Sequence, residues 1–194
     1  IFQNVEVGSM EHNIIWKIRL PRLLTAAVLG GALSVSGFLL QTFFRNPIAG
    51  PFVLGISSGA KMFVCFIIVY VVGAYGAMSN MAMVLAAFAG SLLIMGVVLL
   101  FSNKVKGMSM LLVIGIMISY ICSAITDFFI AFAKDQEIAS LTAWSMGSFT
   151  GAAWDELGII SVIVFAALFG AILISKPMNA FLLGEGYARS MGIN

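Results

Sequence analysis

Charged residues are scarce in this sequence. Of its 194 residues, 9% are Asp, Glu, Lys or Arg, whereas 61% are hydrophobic. Such a chain cannot cover its surface with polar groups in water, which excludes an ordinary soluble domain and places it in a lipid bilayer. The formal net charge is only +2 and no basic run occurs, so nothing indicates a nucleic-acid partner.

Residues for metal and nucleophilic chemistry are equally few. His12 is the only histidine, and the two cysteines, Cys65 and Cys122, lie in apolar segments, where a free thiol behaves as a small hydrophobic group. No H-E-x-x-H, C-x-x-C or Walker A pattern occurs. The sequence therefore predicts no metal site and no cofactor. If ATP drives this protein, another subunit must bind it.

One short motif does match a catalytic pattern. Residues 55–59, G-I-S-S-G, fit the G-x-S-x-G elbow of hydrolases, which needs a preceding strand and a histidine base. Here a proline turn precedes the motif, and histidine is almost absent. We favour the interpretation that these small residues let the start of a helix pack tightly. An intramembrane hydrolase that uses Ser57 is the alternative.

Long apolar runs are what the sequence does contain. Between Arg22 and Arg45 lie 22 uncharged residues, enough for a helix to cross ~30 Å of hydrocarbon. Small residues recur along this run, which predicts that other helices surround it. Four further spans are predicted at about Val53 to Val72, Met81 to Phe101, Ser109 to Ala133 and Leu157 to Ser175. The predicted fold class is all-α: a polytopic transmembrane helical bundle with about five spans, forming one domain over residues 1–194.

Three segments are less apolar than these spans. Residues 1–17 are predicted to be a lead-in at or outside the membrane surface. Residues 138–146 are predicted to form a short re-entrant or surface helix. Lys176-Pro177 is predicted to end the fifth span, because proline cannot continue the helical hydrogen bonding. Residues 178–194 then form an amphipathic tail.

A stripe of small and polar residues occurs in the fourth span. Gly115, Ser119, Ser123 and Asp127 recur every four residues and so share one helix face. A charge such as that of Asp127 costs roughly 2.5–3.5 kcal/mol at mid-bilayer, and less near an end. The stripe lines a translocation path or forms a close helix contact with Asp127 near the outer water; the sequence leaves both open. A proton- or cation-coupled secondary transporter or channel that uses Asp127 is an alternative function.

The first apolar run and its flanks carry a resemblance to a known family. R-L-P-R at residues 19–22, then a G-x-x-x-S-x-x-G run, then Q-x-x-x-R-N-P-I-A-x-P-x-x-L-G-x-x-x-G-A at residues 41–60 resemble the signature of the FecCD (BtuC-like) permeases. These are membrane subunits of bacterial ABC importers for ferric siderophores, haem and cobalamin. The resemblance implies a multi-pass, non-enzymatic transport subunit of the bacterial inner (cytoplasmic) membrane. It also implies a ten-helix permease, of which this chain covers roughly helix 2 to the cytoplasmic coupling loop.

The same resemblance implies partners. These are a separate ABC ATPase subunit, a periplasmic or lipoprotein substrate-binding protein, a second permease copy that is identical or paralogous, and membrane lipid. Arg19 and Arg22 stand three apart around Pro21 at the outer mouth of the first helix. In the family this motif meets acidic residues of the binding protein, so both arginines are predicted to dock it. Anchoring of the helix among lipid phosphates is the alternative.

The end of the chain resembles a second family element. L-L-G-E-G-Y-A-R-S-M-G-I, residues 182–193, is similar to the cytoplasmic coupling loop, whose short helices fit a groove on the ATPase subunit. An amphipathic helix lying among lipid headgroups is the alternative. On the resemblance, the residues predicted to couple to the ATPase are Leu183, Gly184, Glu185, Ala188, Arg189 and Gly192.

Overall fold

The computed structural model describes residues 9–72, 76, 79–102, 104, 105 and 107–192, and the regular structure of these residues is entirely helical. The described part contains seven helices, which we label α1 Met10–Phe44, α2 Ile56–Val72, α3 Asn80–Ser102, α4 Met108–Ile130, α5 Asp135–Met146, α6 Trp154–Leu182 and α7 Glu185–Ser190. Of these, α1, α3, α4 and α6 are long and apolar enough to cross a membrane, whereas α2 is shorter. The predicted all-α polytopic fold is confirmed.

Helix α1 begins well before the first charge-free run. Ser9 caps it: its Oγ accepts a hydrogen bond from the backbone N–H of His12 at 3.1 Å. Residues 10–17, predicted as a lead-in outside the span, are therefore part of one helix that continues to Phe44. The rest of the predicted lead-in, residues 1–8, lies outside the described residues.

Pro21 does not stand in the first turn of its helix. It follows a π-helical segment, Ile14–Arg19, in which the backbone N–H of Leu20 donates to the carbonyl of Ile15. In that register the next donor would be Pro21, which has no N–H, and its acceptor would be the carbonyl of Trp16. Pro21 is thus accommodated inside the helix, at the cost of one carbonyl without a helical donor.

The described residues fall into two compact units, residues 44–147 and residues 1–43 with 148–194. In the first unit α2 is central and packs against α3, α4 and α5. Its buried core joins Val64, Cys65 and Ile68 of α2 to Leu141 of α5. In the second unit α7 packs against α6. The prediction of one domain over residues 1–194 stays a prediction.

Helix α5 is the predicted re-entrant or surface helix, and it starts three residues earlier than expected. The backbone N–H of Lys134 donates to Glu137 Oε2 at 3.0 Å, which closes its first turn. Leu141, midway along α5, is 3% exposed because it packs on Val64 and Ile68 of α2. Helix α5 therefore packs against α2, and whether it is re-entrant or lies on the membrane surface stays a prediction.

Two predicted boundaries are wrong. Helix α2 begins at Ile56 rather than Val53, because Gly55 has φ +79°, a left-handed conformation that no regular helix continues through. Helix α6 does not end at Lys176-Pro177 but runs on to Leu182, with Pro177 inside it. A proline interrupts only the backbone bonding of its own turn, and neighbouring turns of a long apolar helix compensate. Residues 178–182 of the predicted tail thus belong to α6.

The small residues of α1 have an unexpected environment. Gly30, Gly31 and Gly37 have no atom of another element within 4 Å of the position that a Cβ would take, as far as the described residues go. The helices of this chain therefore do not supply the close neighbours that the pattern predicts. In contrast, Gly59, Gly90 and Gly115, in the unit of residues 44–147, lie directly against the backbone of neighbouring segments.

Candidate functional sites

The signature segment of residues 46–60 leads into a junction of three helices. Gly59 lies against α3: a Cβ at Gly59 would stand 2.9 Å from the carbonyl oxygen of Gly90. A Cβ at Gly115 of α4 would stand 2.8 Å from the Cα of Leu54. Distances below 3.0 Å are not tolerated, so backbone meets backbone at both places. Small residues at this spacing serve close packing in membranes.

This junction accounts for the G-x-S-x-G match. Ser57 lies in the first turn of α2, and turns rather than a strand precede it. Gly55 and Gly59, the two glycines of the motif, are both buried against neighbouring backbone. The motif is therefore a helix start built for contact, and it lacks the strand that a nucleophile elbow requires.

The predicted translocation stripe of α4 is divided in two. Gly115 and Ser119 face the junction: the Ser119 hydroxyl donates to the Gly115 carbonyl at 3.0 Å, and its Oγ would lie 3.0 Å from a Cβ at Gly55. Ser123 and Asp127 are exposed on the surface of this chain. The first half of the stripe thus makes a close contact, whereas a path along Ser119, Ser123 and Asp127 stays a prediction.

Asp127 lies close to the end of its helix. Its backbone carbonyl accepts a hydrogen bond from the N–H of Ala131, directly after α4 ends at Ile130. A carboxylate within the last turn stands near the negative end of the helix dipole, so the helix itself does not stabilise its charge. Its exposure lets solvent or a partner do so.

Lys61 lines a cavity of about 190 Å³ beside α5. The other lining residues are mostly apolar and come from α5 and the end of α4: Ile130, Ile138, Leu141, Thr142, Ser145 and Met146. The hydroxyls of Thr142 and Ser145 each donate to a carbonyl one turn back, at 2.8 Å. Because both hydroxyls bond within their own helix, mainly apolar groups surround Lys61 in this cavity.

One of the two predicted docking arginines of α1 already makes a hydrogen bond within this chain. Arg22 Nη2 donates to the backbone carbonyl of Thr150 at 2.7 Å, across 128 residues of sequence. Thr150 lies in the loop between α5 and α6, where its N–H and hydroxyl bond to Ser148. Arg19 is exposed and does not share this contact.

A second hydrogen bond holds the same loop. Trp154, the first residue of α6, donates its indole N–H to the carbonyl of Trp16 at 2.8 Å. This is the carbonyl that Pro21 leaves without a helical donor. The loop of residues 147–153 is thus held to α1 at its middle, through Thr150, and directly after its end, through Trp154; the two positions on α1 are about 9 Å apart along the helix.

Two polar atoms next to this loop contact have no partner. Arg22 Nε and Thr25 Oγ1 are both buried and, among the described residues, neither makes a hydrogen bond. Thr25 is 3% exposed, and Pro21, one turn before it, is fully buried. A buried donor without an acceptor is costly, which makes this pair the least satisfied polar feature of the described structure.

The predicted coupling residues surround the short helix α7. Gly184, with φ +123°, separates it from α6, and Gly192, with φ +78°, follows it. Ala188 is completely buried, whereas the apolar side chains of Leu183, Tyr187 and Met191 are half to two-thirds exposed. Arg189 is exposed. The side chain of Glu185 is not among the described residues.

Sequence reasoning missed the residues that hold the loop. Thr150 contributes only a backbone carbonyl, so its side chain gives no signal. Trp154 follows the loop at a helix start, a position typical of interfacial tryptophan, and that was the one available hint. The pairing partners lie more than 120 residues away, which local pattern analysis cannot reach.

Several long apolar helices, some of them in backbone-to-backbone contact at glycines, make up the described part of this chain, which is a multi-pass membrane protein. All 194 residues match the FecCD transport family, and the chain belongs to that family. The predicted family is thereby confirmed.

Known relatives are similar over most of this chain. It is 36% identical over 179 residues to the vitamin B12 import system permease protein BtuC of Escherichia coli O6:H1 (strain CFT073), and 36% identical to the BtuC protein of Shigella boydii serotype 18. Each alignment covers 92% of this chain and 54% of the relative. The chain therefore spans about half the length of the curated relatives it matches.

A solved structure is also similar. It is described as a metal-chelate type ABC transporter in an inward-facing conformation, and it matches with a TM-score of 0.84 at 27% identity. The match covers 98% of this chain and 61% of that chain. This chain is therefore similar to a known ABC transporter in fold as well as in sequence.

Proposed function

We propose that this chain is a membrane-spanning part of the permease of an ATP-driven, binding-protein-dependent importer. The observation that carries the proposal is the match of the FecCD transport family to all 194 residues, including both the R-L-P-R end and the tail of the chain. In this proposal the chain is not an enzyme. A separate ABC ATPase hydrolyses the nucleotide, in keeping with the missing Walker A pattern.

The proposed cargo is a ferric siderophore, haem or cobalamin. The BtuC relatives are named for vitamin B12 import, and the similar solved structure is described as a metal-chelate transporter. All of these are bulky chelates of a metal ion. Such cargo requires a permease with a wide path, and a dimer of two permease copies in the bacterial inner membrane would enclose one between them.

We assign the two ends of the chain to two different partners. Arg19 and Arg22 meet acidic residues of a periplasmic or lipoprotein binding protein, and the exposure of Arg19 supports this role. The α7 segment, from Leu183 to Gly192, docks on the ATPase. Its support is the short helix with exposed apolar side chains, set apart by glycines in conformations that favour glycine.

A second candidate function uses Asp127. The carboxylate is exposed beside Ser123 on α4, and an acid on an apolar helix is a feature of proton- and cation-coupled transporters. In the importer proposal the same two residues line the path, and Ser119 supports them from the helix junction.

Reconstitution distinguishes the two candidates. The assembled transporter, in proteoliposomes with its ATPase and binding protein, is assayed for uptake of radiolabelled cyanocobalamin, haem and ferric siderophores. The importer proposal expects uptake of one cargo that needs both ATP and the binding protein. Uptake that follows a proton gradient without any ATPase would instead establish the secondary transporter.

A further inference from the structure

Arg22 and Thr25, which lie within one turn of α1, have three donor atoms of interest, and only one of these has a partner among the described residues. Arg22 Nη2 donates to the Thr150 carbonyl at 2.7 Å, whereas Arg22 Nε and the Thr25 hydroxyl are buried without a partner. Residues three apart on a helix are neighbours on its surface, so Arg22 and Thr25 lie on the same face of α1. The loop carbonyl bonds to only one of the three donor atoms.

The chemistry of the empty donors defines what would fill them. Nε and one Nη of a guanidinium form a planar fork that matches the two oxygens of a carboxylate. The Thr25 hydroxyl can donate to a remaining lone pair of such a group. A backbone carbonyl offers one oxygen and engages one prong of the fork. A carboxylate would satisfy all three donors, which the present arrangement does not.

We propose that Arg22 and Thr25 form a carboxylate-binding site, which the Thr150 carbonyl closes until an acidic side chain of a docking partner displaces it. The inference rests on the proposed docking role of this end of the chain, and it goes further in separating the two arginines. Arg19, which is exposed, attracts the partner. Arg22 exchanges its bond to the loop for a bond to the partner's carboxylate.

Displacement has a structural consequence. Once Nη2 leaves Thr150, the loop of residues 147–153 is held to α1 only through Trp154 and the carbonyl of Trp16. The middle of the loop therefore becomes mobile when the site is filled. Binding at the site and release of the loop are coupled in one equilibrium. The mobility of the loop therefore measures how much of the site is occupied.

The test uses the full chain in phosphatidylcholine nanodiscs, with Cys65→Ala and Cys122→Ala and a spin label on Ala153→Cys. Sodium acetate replaces sodium chloride at constant ionic strength, and the mobility of the label is followed. We expect acetate to raise the mobility with a saturating dependence. Thr25→Val should raise the half-saturating concentration about two- to ten-fold, the effect of one hydrogen bond, whereas Thr25→Ser should not.

Further variants isolate the guanidinium fork. Arg22→Lys keeps the charge but loses Nε, so the label should be mobile without acetate and insensitive to it. Lys17→Gln, a matched loss of a nearby exposed positive charge, should leave the response unchanged. An acetate response that is equal in Arg22→Lys or in Thr25→Val would overturn the proposal, as would no response at all.

Two other results separate this site from its alternatives. If phosphatidylglycerol in the nanodisc frees the loop without acetate, the site takes a lipid phosphate and the carboxylate assignment is wrong. If the binding protein still docks while acetate does nothing, the proposed importer stands and this site does not. A saturating acetate response without any docking would support the carboxylate site and contradict the proposed docking role.

Discussion

The indole nitrogen of Trp154 donates to the backbone carbonyl of Trp16 at 2.8 Å, and the two residues lie 138 positions apart in the chain. The bond supplies a donor to a backbone carbonyl that has none within its own helix. Pro21 has no N–H for the carbonyl of Trp16 in the π register of Ile14–Arg19, so a side chain from another helix takes the place of the backbone donor. A proline inside α1 and a tryptophan at the start of α6 thus depend on each other.

Replacement of Trp154 by phenylalanine tests this relationship. The aromatic ring is kept and the donor is lost, which leaves the Trp16 carbonyl without its partner. We expect a loss of about 1 kcal/mol and a thermal midpoint lower by about 2–4 °C in detergent. Trp144→Phe is the matched control, because its indole makes no hydrogen bond to any described residue. Equal midpoints for both variants would show that the bond does not contribute to stability.

Much of the fold follows from hydropathy alone. The four long helices are all predicted, because apolar runs of membrane length are a strong signal. A short helix near residues 138–146 is also predicted, and α5 is found there. The boundaries set by backbone conformation are predicted less well. Gly55 shortens α2 and Pro177 fails to end α6, since a single glycine or proline can act in opposite ways according to its neighbours.

The candidate sites divide in the same way. Asp127 could be chosen from residue type and spacing, because a charge in an apolar helix is conspicuous. Arg19 and Gly184 were indicated only by the resemblance of their segments to known family elements. The bond from Arg22 to the Thr150 carbonyl could not, because a backbone acceptor has no sequence signal and only the fold brings it close. The separation of the α4 stripe into two halves could not be predicted from the sequence either, because it depends on where Gly55 lies in the fold.

The close crossing of α2 and α3 gives a second prediction. A methyl group at Gly59 would stand 2.9 Å from the Gly90 carbonyl oxygen, so Gly59→Ala must push the two helices apart. Overpacking of this kind costs about 1–3 kcal/mol. Gly96→Ala, on α3 with nothing within 4 Å, should be neutral or stabilising by up to about 1 kcal/mol. Unfolding in graded denaturing detergent measures both, and similar midpoints would contradict the packing described here.

The third prediction concerns coupling through α7. Proline cannot adopt the φ of +123° found at Gly184, so Gly184→Pro should misdirect the short helix. In the assembled transporter we expect ATP hydrolysis to continue while uptake is lost. Ala188→Trp should have the same effect, because Ala188 is fully buried. Gly186→Ala, at an open helical position, should be tolerated. Normal cargo-stimulated hydrolysis and uptake in both disruptive variants would remove α7 from the coupling mechanism.

The fourth prediction concerns Arg19 and Arg22, the two arginines predicted to dock the binding protein. Reversal of Arg19 and Arg22 to glutamate should slow docking of the binding protein several-fold at low salt, because charge steers association. The defect should shrink as ionic strength rises and the screening length falls to about 10 Å or less. Lys104→Glu, which reverses a charge in the loop between α3 and α4, should have little effect. A normal docking rate for the double reversal in low salt would contradict the docking role of both arginines.

The fifth prediction separates the two halves of the α4 stripe. Ser123 is exposed on this chain, whereas the Ser119 hydroxyl lies against Gly55 and bonds to Gly115. If the exposed half lines a water-filled path, Ser123→Cys should react with small water-soluble thiol reagents in the assembled transporter, in a background without Cys65 and Cys122. Ser119→Cys should be protected, because the junction excludes the reagent.

The variant Asp127→Asn tests whether a reactive Ser123→Cys lies in a translocation path. In a path, its carboxylate stands beside water and cargo, so Asp127→Asn should lower uptake without changing expression or ATP hydrolysis at rest. The reactivity of Ser123→Cys should also change with nucleotide, because a path that alternates its access opens and closes around fixed residues. If Ser123→Cys is protected in every nucleotide state and Asp127→Asn transports normally, the exposed half is covered by another part of the assembly. The whole stripe then serves helix packing, as its first half does against Gly55.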